Sequence, residues 1–440
     1  MHIAILGAGW AGLAAALELT QAGHQATVFE AARTVGGRAR ALPVPLPDGR
    51  TLVLDNGQHI LIGAYSETLR CMRQVGVDEQ AALLRLPLAL RFPDGSGLQL
   101  PDAPAPWNAL RGIAAARGWR WADRWALLRT AHAWQRSSFA CEAQDTVADL
   151  CHALPQGLKD SFIDPLCVAA LNTPADQASG QVFLRVLQDS LFGGRGSSDL
   201  LLPRQDLGQV FPQAALEWLQ AHGALVRLGQ RVQSLGAAPQ GSGWLVDGVP
   251  FDAVLLATPS TEAARLVSQC AHTAPYAWTV ALCDWAASAQ ALRFEAITTV
   301  YLQAVPGAGG RTLPLPLPML ALRSSPQAPA QFVFDRGMLG GPSGLLAFVA
   351  SASQGEREHI TQQVLAQART QLGLVQAEPV QTVVEKRATF ACTPGLQRPT
   401  AQVAPGLWAC GDYVQGPYPA TLEGAVRSGM EAVRGLLAPA

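Results

Sequence analysis

The pattern of apolar positions at the start of the chain predicts a strand, a helix and a second strand. Ile3 to Leu6 and Ala26 to Phe29 are apolar runs of strand length. The alanine- and leucine-rich segment Leu13 to Ala22 between them is typical of a helix, and Gly23 is a suitable C-terminal residue for it. This order predicts an α/β domain with a Rossmann-like parallel sheet.

The middle of the chain has a different pattern. Residues 105–200 show helical apolar periodicity with few β-branched runs, whereas 266–385 contain strand-like stretches at Ala296 to Gln303 and at Gly344 to Ala352. A helical run from Gly355 to Leu372 follows them. We therefore expect a mixed sheet-plus-helix domain, inserted into the α/β domain.

Composition limits the classes of function. At 440 residues the chain is too long for one compact core. A net charge of −1 predicts no nucleic-acid partner, and eight scattered cysteines without a CxxC pair predict no metal site. The first apolar run leads into a glycine turn rather than a signal peptide, and no apolar stretch reaches the ~20 residues of a membrane span. We expect a cytoplasmic protein, or one attached to the membrane surface.

The strongest local motif follows the first strand. Gly7 to Gly12 reads GAGWAG and fits GxGxxG, in which the glycines allow a tight turn, backbone approach to a pyrophosphate, and close helix–strand packing. The helix N-terminus offers N–H groups and a positive dipole end to phosphates. Glu30 ends the second strand, where it can accept hydrogen bonds from both ribose hydroxyls. The predicted dinucleotide contacts are Gly7, Gly9, Trp10, Ala11, Gly12, Glu30 and Ala31.

Two further segments resemble the FAD-containing amine oxidase and phytoene desaturase superfamily. TVGGRAR at 34–40 matches its GGR extension, whose arginine, here Arg38, helps to neutralise the pyrophosphate. GLWACGDYVQGPYPATLEGAVRSG at 406–429 matches its closing motif. There Asp412 would bind the ribityl chain, and a helix opening at Thr421 to Ala425 would face the flavin pyrimidine carbonyl. The resemblance implies FAD as the cofactor.

The same resemblance implies contacts elsewhere in the chain. Val232, in GQRVQSL, would lie on the strand whose backbone meets the adenine, and Thr258 would follow the strand VLLATP. The stretch that includes Gly57 would run under the flavin. The implied contacts are Gly37, Arg38, Gly57, Gln58, His59, Val232, Thr258, Gly411, Asp412, Thr421, Leu422 and Ala425. The FAD-binding domain would then be discontinuous, over 1–80, 205–265 and 385–440, with a substrate domain over 81–204 and 266–384.

Three internal stretches narrow the resemblance. DNGQHILIGAY (55–65), DPLCVAALNTPADQASGQVF (164–183) and SDLLLPRQDLGQVFP (198–212) are similar to the squalene-associated FAD-dependent desaturases, a family of hydroxysqualene dehydroxylases. The family implies reduction of hydroxysqualene, a C30 allylic alcohol, to squalene in a hopanoid route. Loss of water would give an allylic cation, which a flavin hydride would quench. Such a reaction needs a proton donor, a dry pocket and an external reductant, for which NADPH is a candidate.

Three residues are candidates for catalysis. His59 is the first candidate for proton donor, with packing beside the cofactor as an equal alternative. Asp206, next to Arg204 in LPRQD, is a weaker one, because an Arg–Asp pair is more often structural. Tyr418, in GPYPAT, lies where superfamily members place an aromatic residue over the flavin.

Residues 105–136 combine five tryptophans and six arginines with the single acid Asp123. Tryptophan favours the lipid headgroup region and arginine is drawn to anionic lipid, so this stretch predicts a membrane-facing helical element beside the substrate entrance. The alternative is a helix packed on both sides within the substrate domain.

Three other functions stay open from the residues alone. An oxidative carotenoid-type desaturase would share fold and cofactor, because hydride transfer can run in either direction. An amine oxidase is disfavoured, since Lys159 and Lys386 are the only lysines available for the residue that many such enzymes place near the flavin. A flavin-free lipid-carrying protein would not need the intact glycine and acidic motifs.

Overall fold

The computed structural model describes residues 1–46, 48–104, 106–238, 243–304 and 314–438. The strands, in chain order, are β1 His2–Leu6, β2 Gln25–Glu30, β3 Ala41–Pro45, β4 Thr51–Asp55, β5 Leu61–Ile62, β6 Leu83–Leu86, β7 Ala89–Arg91, β8 Gly97–Gln99, β9 Leu200–Pro203, β10 Leu225–Leu228, β11 Leu235–Ala237, β12 Trp244–Val246, β13 Val249–Phe251, β14 Ala253–Leu256, β15 Phe294–Ala304, β16 Met319–Ala321, β17 Phe332–Asp335, β18 Leu345–Ser351, β19 Ala377–Phe390, β20 Gln402–Ala404 and β21 Leu407–Ala409.

The helices, in chain order, are α1 Trp10–Gln21, α2 Ser66–Gln74, α3 Glu79–Ala82, α4 Trp107–Ala115, α5 Trp121–Arg136, α6 Val147–Leu150, α7 Gln156–Leu158, α8 Asp164–Leu171, α9 Gly180–Leu191, α10 Leu207–Val210, α11 Pro212–Ala221, α12 Ser260–Ala271, α13 Tyr276–Gln290, α14 Arg357–Leu372 and α15 Leu422–Leu437. A π-helical turn, Lys159–Ile163, joins α7 to α8, and Gly337–Leu339 forms a 3₁₀ turn.

A six-stranded sheet in the order β10-β2-β1-β14-β21-β20 organises the nucleotide-binding half. Its neighbours are parallel except for the β20–β21 pair. Both faces of β1 are covered: Ile3 and Ile5 belong to the apolar cluster that contains α1, while Ala4 and Leu6 belong to a second cluster on the opposite face. Burial on both faces explains why the strand is apolar throughout. The predicted Rossmann-like α/β fold is confirmed.

A five-stranded antiparallel sheet, β16-β17-β18-β15-β19, forms the main layer of the other half. Its two long strands, β15 and β19, pair along most of their length, and α14 packs against β19. Smaller antiparallel sheets are formed by β5-β9-β6 and by β3-β4. The sheet-plus-helix composition predicted for the inserted segments is present.

Several element boundaries differ from the sequence-based expectation. Helix α1 begins at Trp10 rather than at Leu13, because the helix starts inside the glycine motif. Residues 231–234 form no strand, so the strand predicted around Val232 is wrong; the nearest one, β11, begins at Leu235. Strand β19 runs without a break across the proposed domain boundary at residue 384, because its pairing with β15 continues on both sides.

The tryptophan- and arginine-rich stretch, of which Ala105 lies outside the described residues, forms the two helices α4 and α5. Trp119 and Trp134 are buried, and Trp119 packs edge-on against Phe162. Trp107, Trp121 and Trp125 are exposed. Within the described ranges, no helix has both the length and the apolar character that crossing a bilayer requires.

Candidate FAD-binding and catalytic site

The glycine turn after β1 is made by close backbone packing. Gly7 has φ +112°, and a Cβ there would lie 2.5 Å from the carbonyl oxygen of Ala257, at the end of β14. A Cβ on Gly12 would overlap the carbonyl oxygen of Gly7 itself. Both positions therefore require glycine, and the turn carries the chain from the strand into α1 without a side chain between them.

The second glycine serves a different purpose. A Cβ on Gly9 would meet only the Cα of Gly37, at 3.9 Å, so the space above the helix N-terminus is open. None of the described side chains caps α1 there. The GGR loop closes one side of this space, since the Gly36 N–H donates to the Ala8 carbonyl at 2.9 Å. An open helix N-terminus with uncapped N–H groups is suited to a pyrophosphate.

The predicted Trp10 and Glu30 contribute differently. The Trp10 indole is buried, donates to the Ala39 carbonyl at 3.0 Å and packs on Phe211, so only its backbone is available to a cofactor. The Glu30 carboxylate accepts the N–H groups of Ala8 and Ala32, each at 2.8 Å. These bonds hold the carboxylate at the mouth of the turn, and its remaining lone pairs can accept ribose hydroxyls.

Arg38 and Asp412 are brought together from opposite ends of the chain. The Arg38 Nη2 donates to Asp412 Oδ1 at 2.5 Å, while its Nη1 donates to the Ala388 carbonyl on β19. The resemblance implied separate partners for these groups, the pyrophosphate and the ribityl chain. The structure shows an ion pair that fixes the GGR loop against the turn Gly411–Asp412.

The closing helix begins where the motif implied. Thr421 is the N-cap of α15, its hydroxyl accepting the Gly424 N–H at 3.0 Å, and Leu422 and Ala425 lie in the first turns. Glu423 is almost fully buried and accepts the Thr68 N–H and hydroxyl at 2.9 and 2.7 Å. These bonds orient the helix N-terminus by tying α15 to α2.

The segment after β4 carries three predicted residues. The Nδ1–H of His59 donates to the Gly57 carbonyl at 2.7 Å, since a carbonyl can only accept. Removal from solvent lowers the pKa of His59; the Gly57 bond raises it, and the positive charge of Arg38 lowers it further. The net shift is downward, so the imidazole is neutral at pH 7 with Nε2 as an acceptor.

Gln58 leads to functional residues that sequence reasoning missed. Its Oε1 accepts from Arg336 at 3.3 Å, and Arg336 also donates to the Pro203 carbonyl and lies 4.0 Å from the Asp55 carboxylate. Burial raises the pKa of Asp55 to about 6, although the hydrogen bond from the Leu207 N–H and the positive charge of Arg336 both lower it. Asp55 lies in the stretch quoted for the family, but Arg336 is 278 residues from Gln58 and no local motif indicates it.

The other two catalytic candidates occupy different surroundings. The Asp206 carboxylate accepts the Gln209 N–H at 3.1 Å and caps α10, which is a structural task; Arg204 is exposed. The Tyr418 ring lies between two guanidinium groups, 5.7 Å from Arg185 and 5.5 Å from Arg427. Burial raises the pKa of Tyr418, so its phenol stays protonated. The helix cap made by Asp206 favours the structural alternative for that residue.

The residues present fit FAD. Four buried hydroxyl groups find no hydrogen-bond partner among the described residues, those of Thr258, Ser260, Thr299 and Tyr413, and three of them, all except Ser260, lie beside predicted cofactor contacts. Thr258 adjoins the Gly7 turn, Thr299 lies 3.9 Å from where a Gly57 Cβ would be, and Tyr413 packs on Gly411. Buried polar atoms are rarely left unpaired, so these three mark where a polar ligand belongs.

The fold and the site define a flavoprotein with a glycine-rich dinucleotide-binding motif, and comparison with known proteins agrees. The family of flavin-containing amine oxidoreductases matches residues 10–437, and the chain belongs to this family. Hydroxysqualene dehydroxylase of Zymomonas mobilis is 26% identical, over 97% of this chain and 97% of its own. The enzyme of that name from Rhodopseudomonas palustris is 26% identical, over 99% and 98%. The resemblance to hydroxysqualene dehydroxylases is thereby confirmed.

Two other comparisons support less specific conclusions, one because it covers only about half of the chain and the other because sequence identity is low. A probable zeta-carotene desaturase of Synechococcus elongatus is 26% identical, over 53% of this chain and 51% of its own. The crystal structure of an oxidoreductase from Methanosarcina mazei aligns with a TM-score of 0.72 at 17% identity, covering 99% of this chain and all of that one, which shows the shared fold. The chain is an FAD-dependent oxidoreductase, and the flavin-free carrier is set aside.

Proposed function

We propose that this enzyme reduces hydroxysqualene to squalene, as a step of a hopanoid route. The observation that carries the proposal is the extent of similarity. Dehydroxylases align with essentially the whole chain, including the substrate-side segments, whereas the desaturase aligns with about half of it. Because motifs of the nucleotide-binding half are common to the superfamily, agreement outside that half carries the substrate information.

The proposed chemistry breaks the allylic C–O bond as a proton reaches the hydroxyl oxygen, releases water, and forms a C–H bond at the vacated allylic position. Bound FAD, in its reduced form, supplies the hydride. We assign the proton to His59, whose ring lies beside Gly57 and whose Nε2 is available. Since its pKa is lowered, the acid form is populated only at pH values below the ordinary pKa of histidine. Gln58 and Arg336 hold the segment in place.

The substrate and the reductant define the surroundings of the reaction. A C30 isoprenoid resides in lipid, so we propose that the enzyme works at the inner face of the cytoplasmic membrane. Electrons come from an external reductant, and NADPH is the first to test. No second GxGxxG follows a strand in the sequence, so NADPH would bind at the flavin without a Rossmann domain of its own.

A single-turnover experiment tests the reaction. The bound flavin is reduced chemically without oxygen, hydroxysqualene is added in detergent, and the flavin absorbance is followed while products are identified by mass. Reoxidation in step with squalene formation supports the proposal. A flavin that stays reduced with this alcohol, yet loses its oxidised absorbance when a polyene is added, overturns it in favour of the desaturase.

A further inference from the structure

The outer sides of α4 and α5 expose large aromatic side chains that none of the described residues covers. Trp107, Trp121 and Trp125 are 60%, 69% and 69% exposed, and they are the three highly exposed tryptophans among the described residues. Leu110 is exposed beside them. On α5, Trp121 and Trp125 are one helical turn apart and share a side with Arg129, His132 and Arg136, which are also exposed.

The inward sides of the same helices are fully occupied. Ile113 of α4, Leu127 and Trp134 of α5, and Trp119 between the two helices belong to the large apolar cluster that also contains Tyr301. The element is therefore anchored by one side, and its tryptophans divide cleanly between core and surface. The exposed ones are available for a partner without unfolding.

The charge of the element identifies the partner. Residues 107–136 contain six arginines and one acid, while the whole chain has a net charge of −1, so the positive charge is local. The acid, Asp123, is buried and accepts the Arg120 N–H at 2.8 Å as part of a helix cap. The Arg120 guanidinium also lies 3.9 Å from the Asp123 carboxylate, and among the described residues 107–136 there is no other acid to pair with the remaining exposed arginines, Arg111, Arg117, Arg129 and Arg136.

One exposed ring is held in place. The Arg124 guanidinium lies 4.5 Å from the centroid of the Trp121 ring and donates to the Ala116 carbonyl at 2.7 Å. A fixed, half-stacked indole loses little side-chain freedom when it enters another phase. Indole rings flanked by arginines are typical of surfaces that bind the headgroup layer of anionic membranes.

We propose that the outer side of α4 and α5, here called the docking face, binds an anionic lipid bilayer. Trp107, Trp121 and Trp125 enter the headgroup layer, and Arg111, Arg129 and Arg136 contact lipid phosphates. A lipid-borne substrate would require such a face, and in this one respect the docking face rests on the proposed function. Lipid binding itself needs no turnover.

Vesicle flotation of the flavin-loaded protein tests the docking face. Vesicles of phosphatidylcholine alone are compared with vesicles that contain about one-third phosphatidylglycerol. We expect binding to the anionic vesicles, lost at about 0.5 M salt. Trp121→Ser with Trp125→Ser weakens binding about tenfold or more. Arg129→Gln with Arg136→Gln weakens it about 25-fold, from roughly fivefold for each arginine.

Matched substitutions control for general effects. Tyr276→Ser with Val280→Ser removes side chains that are 93% and 70% exposed on α13, and Arg357→Gln with Arg369→Gln removes exposed arginines of α14. Both controls should bind as the unaltered protein does, and the absorbance of bound FAD reports that every variant is folded. Equal binding by docking-face and control variants overturns the inference, as does wild-type protein that ignores anionic vesicles. Failure to form squalene leaves this result unchanged, so the two proposals fail separately.

Discussion

The two halves of the site are built in different ways. Around Gly7, Gly9 and Gly12 the nucleotide side is made of backbone, and a methyl group added at Gly7 or Gly12 would collide with a carbonyl oxygen. The side that we propose to face the substrate, around Gln58 and His59, is made of side chains, one held by the neighbouring Gly57 carbonyl and the other by the remote Arg336. The backbone half accounts for cofactor binding, and the side-chain half carries the chemistry that we propose.

This contrast explains why one fold serves many reactions. Backbone N–H groups at a helix N-terminus recognise any dinucleotide pyrophosphate, whatever the substrate. Acidity and contact with substrate depend instead on burial and charge at a few side chains, such as the lowered pKa of His59 and the raised pKa of Asp55. Substitutions on the two sides should therefore fail in distinguishable ways.

The largest effect is expected on the backbone side. In Gly12→Ala the new methyl group overlaps the carbonyl of Gly7, a backbone atom that cannot move aside. We expect loss of bound flavin and destabilisation by about 3 kcal/mol. The ratio of flavin to protein absorbance and urea unfolding measure both. Gly157→Ala, where nothing lies within 4 Å, is the control and should retain its flavin. Full flavin content in Gly12→Ala would contradict the account.

On the side-chain half, His59→Gln should preserve the flavin and reduce turnover. Loss of a proton donor costs about 100-fold or more. Because the pKa of His59 lies below its usual value, wild-type turnover should fall as pH rises through that lowered pKa, and the variant should lose this dependence. Turnover measured across pH separates the roles, with the exposed His272→Gln as control. If the variant keeps the pH profile of the wild type, His59 does not donate the proton and only packs beside the cofactor.

Asp55 gives an effect on stability. Its pKa is about 6 in the folded protein against 3.8 in the unfolded chain, so the folded state binds the extra proton. Stability from this group is complete below the unfolded pKa and is lost as pH rises through 6. Relative to Asp55→Asn, the wild type should lose about 2 kcal/mol between pH ~4.5 and ~7.5. Urea unfolding of both proteins checks this, and the exposed Asp102→Asn should show no such trend.

The smallest effect concerns the closing helix. Thr421→Ala removes the hydroxyl that accepts the Gly424 N–H and should cost about 1 kcal/mol. Thr421→Ser keeps the acceptor and should restore most of the loss. Thermal or urea unfolding distinguishes the two. Equal destabilisation by both substitutions would assign the effect to packing of the methyl group instead.

The sequence predicted the backbone half well, because its requirements are local. Gly7 to Gly12 and Glu30 belong to one short motif, and the turns that need glycine follow the strands directly. The side-chain half depends on pairs that sequence distance conceals. Arg336 reaches Gln58 across 278 residues, and Arg38 bonds to Asp412 across 374. Trp119 is buried and Trp121 is exposed. The apolar periodicity of this stretch did not predict which tryptophans are buried, because their burial depends on tertiary packing.

The central claim is that hydrogen is added where the hydroxyl group leaves. The most direct measurement is the mass of squalene formed in D₂O from hydroxysqualene by the chemically reduced holoenzyme, since hydrogen on the reduced flavin nitrogen exchanges with solvent. We predict squalene that carries one deuterium, at the carbon that bore the hydroxyl. Product without deuterium there, or a more unsaturated polyene, would contradict the claim.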